Sequence, residues 1–84
     1  MSYLGPYLIL TDVIISTDKP KDFNIKHYDK ILNKMKAGEA YNPIILRRIS
    51  GRLNLITGWY RLHAARELKW ISVKAYVEDV EWEF

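Results

Sequence analysis

The chain has 84 residues, with 13 Lys and Arg against 10 Asp and Glu for a net charge of +3, two His and no Cys. That length leaves room for one hydrophobic core and no second domain, and the lack of Cys excludes disulfides and thiolate chemistry together. No apolar run approaches the roughly 20 residues of a membrane span, and no basic segment precedes the first apolar stretch, so neither a membrane anchor nor a signal peptide is expected. A cytoplasmic setting follows as an expectation.

The charge is unevenly spread. Residues 1–77 hold all 13 basic residues and six of the acids, a net +7, while residues 78–84 hold the other four acids. A basic body favours an anionic ligand, nucleotide or nucleic acid, although solvated lysines also serve solubility alone. The 78–84 segment is read as an acidic C-terminal extension with Val80, Trp82 and Phe84 at alternate positions. It suits a final strand, a homodimer contact or docking on a protein partner.

In chain order, residues 7–10 and 13–15 are rich in β-formers and predict one bent strand or two short ones. The cluster 16–22, with its Lys19-Pro20 step, breaks the pattern. Asn24 is placed to cap a helix whose apolar positions Ile25, Tyr28, Ile31, Leu32 and Met35 recur at three and four, and Gly38 to end it. A strand after Asn42-Pro43 runs to Arg48, the turn Ser50-Gly51-Arg52 leads into a strand over 53–57, and a helix is expected from about 60 to 68. A closing strand over 71–77 completes a single α+β domain, a small mixed β-sheet with two principal helices.

The junction at Gly58 carries most of the functional information, because an alternating strand runs through a glycine directly into a helix. A helix N-terminus presents unpaired N–H groups and the positive end of the macrodipole, which together hold anions. Arg61, in the first turn, adds a charged fork. Here the sequence resembles the ParB/sulfiredoxin-like superfamily, whose members place a glycine-started box (in ParB proteins Gly-Glu-Arg-Arg-x-Arg-Ala) at this turn and bind nucleotide phosphates there. The box reads Gly58-Trp59-Tyr60-Arg61-Leu62-His63-Ala64-Ala65, and the order of elements matches over residues 8–77.

The resemblance implies a nucleoside triphosphate with Mg²⁺ at Gly58, Trp59, Tyr60 and Arg61, with His27, Lys30 and Lys34 of the first helix across the cleft. The same row is also what an ordinary solvated helix face offers. Trp59 stands where ParB proteins have an acid, and His63 where they have a third basic residue, free to bind phosphate or act in acid–base catalysis; His63 and the N-terminal-loop carboxylate Asp22 are the candidate catalytic residues. Sulfinic acid reduction, the sulfiredoxin activity, is excluded without Cys. No metal-ligand spacing is recognisable.

Three functions follow. The first is a nucleotide-binding domain, with NTPase activity open. The second is a ParB-like DNA-binding protein or nuclease, with Arg47, Arg48, Arg52 and Arg66 on the DNA backbone. The third is a non-catalytic interaction domain. Size and resemblance together suggest a phage or plasmid accessory protein.

Overall fold

A computed structural model describes residues 2–79. In chain order these form strand β1 (Ser2–Leu10), a 3-10 turn (Thr11–Val13), β2 (Ile14–Ile15), helix α1 (Ile25–Lys36), strands β3 (Ile44–Ile49) and β4 (Arg52–Thr57), helix α2 (Trp59–Glu67) and β5 (Ser72–Asp79). The expected α+β architecture is present: five strands in the order β1-β5-β3-β4-β2, with helices on one face. β5 is antiparallel to β1 and parallel to β3, β3 and β4 form the antiparallel hairpin, and β2 runs parallel to β4.

The two N-terminal strands are separate rather than one bent strand, and they occupy opposite edges of the sheet. Neighbouring strands lie about 4.8 Å apart and three residues reach at most about 10 Å, so the sheet has to curl for that turn to join its edges.

Period-two burial fixes which face is covered. Ile44 and Leu46 of β3, and Val73, Ala75 and Val77 of β5, point into the core, and α2 lays Leu62, Ala64 and Ala65 over them. A fully buried Leu such as Leu62 contributes about 1.5–3 kcal/mol over its exposed state. α1 packs on α2 through Tyr28 and Met35. Its start is set by Asn24, whose Oδ1 accepts the His27 N–H at 3.1 Å, and its end by Gly38, at φ +81°, whose N–H reaches the Met35 carbonyl at 3.0 Å.

Glu67, exposed on α2, accepts a hydrogen bond from the Tyr28 hydroxyl at 2.8 Å; burial and this carboxylate push the Tyr28 pKa up to about 12. Glu78 lies in the final described strand, β5, 3 % exposed, and pairs with Arg47 at 2.9 Å. Residues 80–84, on which the proposed tail contact rests, lie outside the described residues. Among the described residues no helix is long and apolar enough to cross a membrane.

Candidate functional site

Gly58 caps α2 at φ +108°, a left-handed conformation that side chains other than glycine rarely adopt. A Cβ there would stand 2.5 Å from Cγ2 of Ile44, so the residue brings the helix start close against β3. No side chain caps α2, which leaves the N–H groups of its first turn to other partners.

The two aromatic residues that follow are spent on packing. Tyr60 stacks on Phe23 at 5.7 Å between ring centres, meets His27 edge-on at 5.0 Å, and accepts the Asn24 N–H at 3.0 Å. Trp59 stacks on His63 at 4.0 Å and donates its indole N–H to the Thr17 carbonyl at 3.2 Å. Both rings therefore hold the 16–24 loop against α2, and any ligand contact from these positions is through backbone N–H groups.

His63 belongs to the same latch. Its Nε2 lies 2.8 Å from Ser16 Oγ, which directs its own proton to the Thr17 carbonyl oxygen at 3.0 Å, making His63 the donor. Desolvation, and secondarily Arg66, lower its pKa. The unfolded chain then binds this proton more readily than the folded one, so His63 contributes stability that is present above the ordinary histidine pKa near 6.5 and is lost as pH falls below it. Urea titrations at stepped pH are expected to show the wild type losing stability on acidification below about pH 6.5, with a shallower slope in His63→Gln. Equal slopes would show that His63 does not contribute.

Arg61, Lys34 and His27 converge on one groove of about 360 Å³ between α1, the 40–42 loop and the start of α2. Asn42 completes its polar wall, and Ile31, Met35, Ala40 and Tyr41 form an apolar one; among the described residues no carboxylate lines it. Burial lowers the Arg61 pKa without bringing it near neutrality. Its Nη1 donates to the carbonyls of Asn42 and Pro43 at 2.7 and 3.1 Å, which orients the guanidinium and leaves Nη2 and Nε without an internal partner among the described residues.

Lys30 is exposed but does not line the groove, because its position is 60° around the helix from His27 while Lys34 is only 20° away. Asp22 lies exposed in a turn. Of the four arginines proposed for DNA, Arg47 is held by Glu78, and Arg66 donates to the carbonyls of Thr11 and Ile14 at 2.9 and 2.6 Å. Arg48 and Arg52, near the tip of the β3–β4 hairpin, are exposed and have no side-chain partner among the described residues. Ser16, Thr17 and Asn42 were not foreseen; they act through backbone carbonyls or a single hydroxyl, which leave no pattern in sequence.

This arrangement of strands, glycine turn and two helices recurs in solved structures. ParB from Caulobacter crescentus complexed with CTP-gamma-S superposes at TM-score 0.76 and 16% identity, over 93% of this chain and 46% of that one. The chain has the ParB/sulfiredoxin-like fold. Sulfiredoxin from Arabidopsis thaliana matches at TM-score 0.74 and 12% identity, over 88% of this chain and 84% of that one. The same Caulobacter ParB complexed to the centromeric parS site matches at TM-score 0.66 and 17% identity, over 90% of this chain and 40% of that one. The chain thus spans less than half of either ParB chain but most of the sulfiredoxin. No protein-family model matches the sequence, and no curated protein does.

Proposed function

We propose that this chain binds the phosphates of a nucleoside triphosphate, carried with Mg²⁺, in the groove between α1 and the start of α2. The observation that carries the reading is the convergence of His27, Lys34 and Arg61 on a groove that no carboxylate among the described residues lines. Its volume lies within the usual range of roughly 300–1,000 Å³ for small-ligand sites. Arg61 supplies a pre-oriented charged fork, and the uncapped first turn of α2, from Gly58 through Trp59 and Tyr60, supplies N–H donors. A CTP analogue bound to a ParB of this fold supports the ligand class.

The support is for binding rather than turnover, since the Nε2 of His63 is occupied by Ser16 and Asp22 stands exposed in a turn. A second reading, contact with the DNA backbone, is favoured by the exposed pair Arg48 and Arg52 near the hairpin tip. With these two arginines alone on the backbone, such binding would weaken with salt at a shallow slope.

The test is calorimetric titration of CTP, ATP, GTP and ADP with Mg²⁺ into wild type, Lys34→Ala and Arg61→Ala, with folding of each variant verified by thermal melting. One-to-one saturable binding is expected, weakened about tenfold or more in Arg61→Ala, the loss of a charge-assisted contact, and less in the exposed Lys34→Ala. No binding of any nucleotide, or binding unchanged in both variants, overturns the reading. Duplex binding that survives Arg61→Ala and fails in Arg48→Ala/Arg52→Ala would favour the second.

A further inference from the structure

β1 is the longest strand of the sheet and carries no charged side chain. Yet it lies at the sheet edge, bonded on one side to β5 and on the other to no strand among those described. Neither helix packs on it as α2 packs on β3 and β5. Leu8 is consequently 71 % exposed, Tyr3, Tyr7 and Leu10 about half exposed, and Ile71, beside the end of the strand, 78 %. Edge strands are ordinarily protected from pairing by lysines, inward charges or brevity. β1 has no charge, and its protections are confined to Pro6 and the bulge between Leu4 and Tyr7, which leave residues 7–10 open.

We infer that β1 is the contact surface for a second copy of this chain, joined edge to edge in an antiparallel, two-fold pairing. Three observations select that occupant. First, two basic bodies repel each other across their charged faces, whereas an uncharged strand meets its own copy with no like charges opposed. Second, an antiparallel strand is self-complementary under a two-fold axis, so one surface serves both copies. Third, with aromatic side chains presenting about 150–250 Å² each when fully exposed, the open parts of Tyr7, Leu8 and Leu10 come to roughly 300 Å² per copy. Two such surfaces bury roughly 600 Å², below the size of stable specific interfaces, which places the dimer in the weak, reversible class.

The geometry also sets the register. Pro6 has no N–H, so the pairing segment is residues 7–10. An axis normal to the sheet keeps both pairs of helices on the same side, so outer-face side chains meet outer-face side chains. Leu8 then lies opposite Leu8 or Leu10 of the second copy, and the two sheets become continuous.

Sedimentation velocity of the whole chain, from about 10 μM to about 1 mM, tests this against Leu8→Lys and Leu8→Glu. Because Leu8 is mostly solvated, both variants are expected to keep the wild-type melting temperature. A monomer–dimer equilibrium is expected for the wild type, strengthened by added salt as the basic bodies are screened, and absent in each variant alone. Mixing the two variants should restore dimer, and hydrogen exchange should show residues 7–10 protected only at dimeric concentrations. A wild type that stays monomeric throughout, a dimer that survives Leu8→Lys, or one weakened by salt would overturn the proposal. None of these readouts depends on nucleotide binding.

Discussion

Replacing Gly58 by Ala is expected to cost about 3 kcal/mol of stability, the sum of left-handed backbone strain at roughly 1–2 kcal/mol and overpacking at about 1–3 kcal/mol. The added Cβ would stand 2.5 Å from Cγ2 and 2.9 Å from Cβ of Ile44, a β-branched residue with no exposed surface. Its stiff side chain cannot rotate away without disturbing Leu62 or the strand itself. In a domain of this size each kcal/mol is worth about 4–8 °C, so the melting temperature should fall by roughly 12 °C or more. Thermal and urea unfolding measure this directly; a loss below about 1 kcal/mol would show that the helix start can move off β3. The same substitution bears on the ligand, because Arg61 reaches the groove only while α2 begins against Ile44. Nucleotide affinity of Gly58→Ala should fall along with its stability.

Arg47→Ala is expected to destabilise the fold by about 2–3 kcal/mol, below the roughly 3–5 kcal/mol of a fully buried broken pair. The discount comes from the Arg47 side chain, which is 41 % exposed while Glu78 is 3 % exposed. Nη2 of Arg47 reaches both carboxylate oxygens of Glu78, at 2.9 and 3.1 Å, and its removal leaves a buried charge without its counter-ion. The double variant Arg47→Met/Glu78→Leu should recover most of the loss, since apolar replacement of both partners removes the desolvation cost as well. Urea unfolding of the three proteins provides the cycle. If Arg47→Ala stays within about 0.5 kcal/mol of wild type, the carboxylate is reached by water, and the arginine becomes free again as a DNA contact.

What was legible in the sequence was local. Asn24 and Gly38 bracket α1 because capping requires only a side-chain oxygen or a positive φ within one turn. The hairpin at 50–51 and the helix following Gly58 were readable for the same reason. α2 begins at Trp59, one residue earlier than expected, because the glycine is itself the cap. Functional positions depended on more distant partners. Whether His27, Lys30 and Lys34 share a groove turns on where α2 sits, and the answer separates Lys30 from the other two. Arg66 has the appearance of a free surface cation until the turn carrying Thr11 and Ile14 folds against it. Glu78 reads as acidic tail until β5 places it beside Arg47, 31 residues away in sequence.

β5 is the last strand in chain order among those described, yet it occupies an interior place in the sheet, between β1 and β3. Everything made before it on the ribosome lacks the element that joins the first strand to the hairpin. The β3–β4 pair, α1 and α2 can each begin to form locally as they emerge, but β1 has no bonded neighbour until residues 72–79 arrive. Assembly is therefore gated by the arrival of β5 rather than proceeding from the N-terminus onward, which gives a small domain the long-range closure that slows folding. During that interval the chain's longest strand, which carries no charge, waits uncovered, the period in which a nascent protein is most open to chaperones and to misassociation.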